Sequence, residues 1–330
     1  MKKRNVYIAV LPDGRFFSAG TSWSRLDMVA VVESLAKAGY EARLISVTGI
    51  EDIPLKKDDV VFYTSSDEGS IRSYLKDIMY FVSLRCEIVP SYEILLSHEN
   101  KGFQQLLRSY KGFGGLCGGY FFDLDEVGAS YPFVYKKITG AGSAGVALVR
   151  GPKDLNDVRR RDYSLGIKRR LIKLQRKSKL TKSEYSIYAY RHKGFSLAVW
   201  QEFVDGLAFD YKVLVFGDRY FVLKRNVRNG DFRASGSGDF SFASAPDLVL
   251  NYAREVFLEL GSPYVSLDIA VKDDKCYLIE YQGLNFGPYT MLNSKEYYFL
   301  DSAGKWMAAP VDFSLEDCFA NAMAFHLGGR

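Results

Sequence analysis

The chain has 330 residues, is 48% apolar and carries a formal net charge of +5. Such a chain can bury one or more cores, and its length suggests about two domains. The longest apolar runs, such as "VYIAVL" and "MVAVV", fall far short of the roughly 20 residues that cross a bilayer.

The four cysteines (Cys86, Cys117, Cys276, Cys318) and three histidines (His98, His192, His326) are scattered, with no C-x-x-C pair. That pattern argues against a zinc site and for a reduced, cytoplasmic setting. The charge is uneven. Residues 159–182 hold eleven Lys or Arg and one acid, Asp162, a local charge of +10. By subtraction, 5 − 10, the remainder carries −5.

In chain order, residues 4–11 read as a strand. The apolar stretch before Pro12 and Asp13 is too short for a signal peptide. "SRLDMVAVVESLAKAGYEARLISV" gives a helix ending at Gly39 and then a strand. "DDVVFYTSS" is a further strand, and "SIRSYLKDIMYFVSLRCEIVPS" a helix and strand. Strands alternating with helices imply a parallel sheet, so residues 1–96 form a small α/β domain. Its strand ends, near Ser18–Ser22 and Thr64–Glu68, would make a crevice for a ligand.

"SHENKGFQQLLRSY" has helical spacing with Ser97 or Asn100 as cap. "KGFGGLCGGYFF" is a glycine-rich connector. The basic segment 159–182 carries a partial apolar stripe, Leu165, Ile167, Leu171 and Leu174, so it reads as a helix. Its charge marks it either as a solvated helical cap or as a docking surface for an anionic partner: a nucleotide sugar, a lipid-linked polymer or a membrane face. No nucleic-acid motif accompanies it, so no specific nucleic acid is expected. Later β-rich runs are "FSLAVWQEFV", "DYKVLVFGDRYFVLKRNV" and "YVSLDIAVKDDKCYLIEYQ". Between the last two lies the helix "PDLVLNYAREVFLELG", with Pro246 at its start and Gly261 past its end.

Gly140, Gly142 and Gly145 follow the G-x-G-x-x-G spacing. A Rossmann site needs a helix after such glycines, whereas "VALV" follows here. A kinase loop needs its lysine downstream, with H-R-D and D-F-G beyond. Here Lys136 and Lys137 precede the glycines and H-R-D is missing. Two readings stay open for the stretch alone: a hairpin loop that uses glycine for its turn, or a flexible loop whose N–H groups approach phosphates.

Downstream, "QEFVDGLAFDYKVLVFGDRYFVLKRNVRNGDFRAS" offers Gln201, Glu202, Asp210, Lys212, Arg225, Arg228 and Arg233. "LDIAVKDDKCYLIEYQGLNFGP" places Asp268 and Glu280 on two strands joined by a tight turn. Taken in order, these motifs resemble the ATP-grasp superfamily, over roughly residues 97–290. The likeness is to ligases that add glutamate to a ribosomal protein, and more distantly to D-alanine–D-alanine ligase. "YTSSDEGSIRSYLKDIMYFV", "VPSYEILLSHENKGF" and "IEYQGLNFGP" also resemble ATP-grasp proteins of bacterial surface-polysaccharide biosynthesis.

The resemblance implies a mixed α/β and α+β fold: an N-terminal parallel-sheet domain (1–96) and two α+β subdomains (97–204, 205–330) that enclose ATP. It implies that Lys101, Lys136 and the loop Gly140, Gly142, Ser143 and Gly145 bind phosphate oxygens. Gln201, Glu202, Phe203 and Val204 would form the adenine hinge, Asp210 would meet the ribose, and Lys212 would lie beside the nucleotide. Arg225 and Arg233 match the catalytic basic positions, whose planar forks suit phosphoryl or carboxylate groups. Asp268 and Glu280 match the two magnesium carboxylates. The family usually follows that glutamate with x-Asn; here Gln282 supplies the amide on a longer arm, and Asn285 is a substitute.

The implied reaction is ATP-dependent carboxylate–amine ligation through an acylphosphate, with ATP and Mg2+ required. Alternatives are a small-molecule kinase and a non-catalytic nucleotide-binding scaffold. Ser65, Ser66, Tyr289 and Asn293 are candidates for the acceptor. The expected partners are small carboxylates and amines, including a nucleotide sugar or lipid-linked glycan, and a homodimer is allowed.

Spacing makes one expectation sharp. Side chains alternate along strands, so direct pairing of Asp268 with Glu280 requires either a three-residue loop, Asp273-Asp274-Lys275, or a bulge. A two-residue turn without a bulge would put the carboxylates on opposite faces.

Overall fold

The computed structural model describes residues 4–16, 26–140, 145–162, 167–191, 196–228, 230–234, 238–242 and 244–329. They fall into two compact units. The larger takes Met1–Glu99, Leu107–Gly115 and Gly206–Arg330; the smaller takes Asn100–Leu106 and Leu116–Asp205.

The larger unit begins with β1 (Val6–Val10), α1 (Met28–Lys37), β2 (Ala42–Ser46), β3 (Val60–Tyr63), α2 (Gly69–Ser83), β4 (Glu87–Val89) and α3 (Tyr92–Ser97). The four strands are parallel in the order β2-β1-β3-β4. β1 and β3 are buried at every residue, while the edge strand β2 is half exposed. Central strands of a parallel sheet are covered on both faces, which is why they read as unbroken apolar runs. Asp27 caps α1 by accepting from the Val29 and Ala30 amides, and Met28, Val31 and Leu35 form the buried stripe. Gly39 ends the turn at φ 89°, a conformation glycine adopts without strain.

Next come α4 (Lys101–Lys111), β5 (Gly118–Phe121), β6 (Phe133–Lys137), β7 (Val146–Val149), α5 (Pro152–Asp162), α6 (Ile167–Lys179), α7 (Lys182–Arg191) and β8 (Ala198–Glu202). The smaller unit's sheet is antiparallel, in the order β5-β8-β6-β7. Its core is Phe121, Leu124, Phe133, Tyr135, Val149, Val158 and Ala198. The basic stretch thus divides among three helices. Thr181 and Glu184 start the third: the Glu184 carboxylate accepts from the Thr181 amide, and the Thr181 hydroxyl accepts from the Glu184 amide. This reciprocal pair is a capping box.

The chain then adds β9 (Phe209–Phe216), β10 (Arg219–Asn226), β11 (Phe240–Ser241), α8 (Asp247–Leu260), β12 (Tyr264–Lys272), β13 (Lys275–Gln282), α9 (Tyr289–Asn293), β14 (Glu296–Leu300), β15 (Trp306–Pro310) and α10 (Leu315–Leu327). Its seven-stranded sheet runs β13-β12-β9-β10-β14-β15, with β11 on β10. Gly261 closes α8 in the left-handed conformation at φ 68°.

One apolar core serves both sheets of the larger unit. Ile8, Val31, Leu35 and Phe62 join Leu214, Phe216, Phe221, Tyr264 and Phe319. Phe319 of α10 meets Phe216 at 5.2 Å and Tyr264 at 5.1 Å, edge to face. Burying each such ring contributes about 1.5–3 kcal/mol. Ser34 of α1 donates to Asp317 of α10 at 2.8 Å. The final helix therefore closes the first sheet, across most of the sequence.

Candidate functional site

Two strand pairs in the larger unit gather five ionisable side chains on one face. Gly217 and Asp218 make a two-residue turn between β9 and β10, since Phe216 pairs with Arg219. Counting back from that turn sets Asp210 opposite Arg225. β12 lies on the other side of β9, with Asp268 opposite Lys212. β13 then sets Glu280 opposite Asp268 and Gln282 opposite Ser266. Paired residues share a face, as do residues two apart. Asp210, Lys212, Arg225, Asp268, Glu280 and Gln282 therefore all stand on the same side.

The β12–β13 connection resolves the spacing question. Lys272 pairs with Lys275, so the turn is the two residues Asp273-Asp274, at φ 49° and 57°. It is not the three-residue loop. A bulge follows, because Asp268 pairs with Glu280 while Ile269 pairs with Leu278. The extra residue, Ile279, shifts the alternation by one and returns both carboxylates to one face.

Charge pairing fixes this cluster. Arg225 Nε donates to Asp210 Oδ1 at 2.6 Å and Nη2 to Asp210 Oδ2 at 2.8 Å. Arg225 Nη2 also lies 3.0 Å from Asp268 Oδ2, and Lys212 Nζ lies 3.4 Å from Asp268 Oδ1. Asp210 and Arg225 are 4% and 5% exposed, so neither charge is left to water. Burial pushes the Asp210 carboxyl up, with the Arg225 charge and hydrogen bonds opposing it. Burial also acts to raise Asp268, but the Arg225 and Lys212 charges outweigh it and hold the group low. Arg225 itself is held above its ordinary value, because Asp268 and Asp210 outweigh its burial.

Arg233 is occupied locally: its guanidinium Nη2 meets Asp231 Oδ2 at 2.7 Å. The acid pair suits a hard cation. Mg2+ takes few protein ligands, prefers oxygen, and leaves its other positions to phosphates and water. The Asp268 and Glu280 carboxylates, with the Gln282 amide oxygen, provide such donors. Among the described residues, no three His, Cys, Asp or Glu side chains make a ready cation cage.

In the smaller unit, β6 carries Lys136, 8% exposed and paired with Val146 and Val199. The hairpin after it holds the glycines. Gly140 and Gly145 have φ of 116° and 80°, so both need the freedom glycine has. Gly142 and Ser143 lie outside the described residues. Lys101, at the start of α4, donates from Nζ to the Gly140 carbonyl at 2.8 Å, and its amide donates to Ile138 at 2.9 Å. Lys101 thus grips the entry to the loop. The Lys137 amide donates to the Gly145 carbonyl at 3.1 Å, fixing the exit. Gln201 is buried on β8. Glu202 pairs with Cys117, accepting from its amide at 3.2 Å and donating to its carbonyl at 2.8 Å. Phe203 and Val204 follow the strand, half-buried.

A further polar group lies at the end of β3. Ser65 and Ser66 are fully buried. Asn285, at φ 48°, donates from Nδ2 to Asp67 Oδ1 at 2.8 Å. Burial, then the Glu99 charge, raises the Asp67 carboxyl. Asp67 lies within the crevice span Thr64–Glu68 expected from the sequence, where only Ser65 and Ser66 were singled out; its partner is 218 residues away. Gly283, just before, has no room for a side chain, since a Cβ would sit 2.4 Å from Ile94 Cγ2. Tyr289 is half exposed, and Asn293 donates to the Tyr289 carbonyl within α9.

No protein-family model and no curated protein matches this chain. Solved structures do. A RimK-domain ATP-grasp protein from Sphaerobacter thermophilus DSM 20745 is 13% identical, over 98% of this chain and 100% of that one, with a TM-score of 0.51. The macrocyclase MdnC of Microcystis aeruginosa MRC, bound with precursor peptide MdnA, is 12% identical over 96% and 97%, at 0.52. D-cycloserine synthetase DcsG is 11% identical over 98% and 99%, at 0.52. The chain shares the fold of these structures.

Proposed function

We propose that this protein is an ATP-dependent carboxylate–amine ligase. The observation that carries the reading is the cross-strand pair Asp268–Glu280, brought to one face by a bulge and flanked by Arg225 and Lys212. In the reaction, a substrate carboxylate oxygen attacks the γ-phosphorus of ATP and ADP departs. An amine then attacks the acyl carbon of the acylphosphate, phosphate leaves, and the nitrogen loses a proton. No side-chain nucleophile is required.

The chain's own groups position substrates and stabilise charge. Lys101, Lys136 and the loop of Gly140, Gly142, Ser143 and Gly145 would bind phosphate oxygens. Gln201, Glu202, Phe203 and Val204 would take the adenine. Arg225 stays charged at any working pH and would stabilise the phosphoryl group, with Arg233 as a second basic position. Asp210 holds that guanidinium in place; a ribose hydroxyl would have to use a lone pair left over from the ion pair. Asp268, Glu280 and Gln282 would hold magnesium, which when bound neutralises charge on the nucleotide's phosphates.

The substrates in this reading are a sugar acid and an amino acid or other amine, joined for a bacterial surface polysaccharide on the cytoplasmic side of the membrane. Support comes from the sequence likeness around "VPSYEILLSHENKGF" and "IEYQGLNFGP". Ser65, Ser66, Asp67 and Asn285 are the proposed contacts of the acceptor. A coupled ADP-release assay across uronic acids and amines tests the reading, with Asp268→Ala as control. Turnover that needs both an acid and an amine supports it. ADP formed with one acceptor, together with a stable phosphorylated product, marks a kinase. Nucleotide binding without turnover marks a scaffold.

A further inference from the structure

Helix α6, "IKRRLIKLQRKSK", has seven basic residues among thirteen and no acid. A helix that serves its own core hides its apolar stripe. Here Leu171 and Leu174 are 61% and 65% exposed, and Ile172 is 41% exposed. Leu171 and Leu174 are three apart and so lie on one face of the helix. Ile187 and Tyr190 of α7, again three apart, are also more than half exposed. Exposed aliphatic side chains in a helix with seven basic residues and no acid have no role in the ligase reading.

We propose that α6 docks on an anionic phospholipid surface, with Leu171 and Leu174 entering the headgroup boundary and the basic residues meeting lipid phosphates. The pattern matches an interfacial helix: a sequence rich in Lys and Arg, two exposed leucines on one face, and low overall hydrophobicity. A second copy of the chain is a poor occupant, because two such helices would bring seven positive charges against seven. A stable protein partner needs on the order of 800 Å² from each side, more than one face of a thirteen-residue helix offers. A lipid surface sets no such minimum, since each cation and each inserted side chain adds its own share.

The test is co-sedimentation of the full chain with vesicles of phosphatidylcholine, with and without about 30% phosphatidylglycerol, the anionic share that sets the surface potential. The wild type is expected to pellet with the anionic vesicles at low salt, to release at high salt, and to ignore pure phosphatidylcholine. Arg176→Gln/Lys177→Gln/Lys179→Gln should weaken binding about 100-fold, at roughly fivefold for each charge removed. Leu171→Ser/Leu174→Ser should weaken it by about tenfold or more. Unchanged circular dichroism and melting would show that the variants fold. Failure to pellet with anionic vesicles overturns the proposal. So does equal pelleting of the wild type and both variants. Loss in the charge variant alone, with heparin competing as well as vesicles, would make α6 a general polyanion site and overturn it too.

Discussion

Two regions of this molecule are dense in charge, and they handle it in opposite ways. On the seven-stranded sheet, Asp210, Arg225, Asp268 and Lys212 are paired with one another, and two of the four are almost wholly buried. In α6, seven cations stand without an acid in the same helix, beside exposed leucines. The first region holds charge in fixed geometry, where little reorganisation is needed when a substrate's charge changes. The second holds charge that acts at longer range and is screened by salt. Density of charge alone does not separate the two regions; pairing and burial do.

The largest expected effect breaks the paired region. Arg225→Met leaves Asp210 buried without its cation and should cost about 3–5 kcal/mol in urea unfolding. Adding Asp210→Leu should recover part of that loss, because the unpaired charge is removed. A cost below about 1 kcal/mol for Arg225→Met would mean that the pair is not held as described. Next, Asp268→Asn should lower ATP turnover on the order of 100-fold while leaving the fold in place; unchanged turnover would separate the acid pair from the chemistry.

A smaller effect concerns a third way of handling charge, which is to avoid it. His98 is 5% exposed. Burial, with the Arg72 and Lys76 charges, pushes its imidazole down to about 3. Unfolded, it would titrate near its ordinary value of about 6.5. The unfolded state thus takes up the proton first as pH falls. The stability from neutral His98 is full above about pH 6.5 and declines by about 1.4 kcal/mol per unit below it, down to about pH 3. Urea midpoints at two pH values should show this loss in the wild type and not in His98→Gln. An identical pH response in both proteins would contradict it. Least of all, Leu171→Ser should change stability by no more than about 0.5 kcal/mol, the counterpart on the exposed side.

Part of the fold and of the candidate site's geometry was legible in the sequence. The alternation of strands and helices in residues 4–96 is local and strong. The acids of β12 and β13 announce themselves by chemistry and spacing. The sequence left two ways to align them, and it could not choose, because an Asp273-Asp274 turn lacks the glycine that usually marks such hairpins. Ile279 as a bulge has no local signature. The Asp210–Arg225 pair, in contrast, was within reach: counting seven residues each way from the Gly217-Asp218 turn places them opposite one another. The Thr181–Glu184 capping box was equally readable at the end of the basic stretch. What lay beyond reach was long-range. Nothing local says that α10 packs on α1, or that Asn285 finds Asp67. Those contacts are set by shape complementarity between elements far apart in the chain.

The most direct test of the ligase reading follows an oxygen atom. With an acid and amine pair that support turnover, the acid's carboxylate is labelled with heavy oxygen and the released phosphate is weighed. The account predicts one labelled oxygen in the phosphate for each amide formed, because the carboxylate oxygen that attacks phosphorus leaves with it. Phosphate carrying no label would contradict an acylphosphate route.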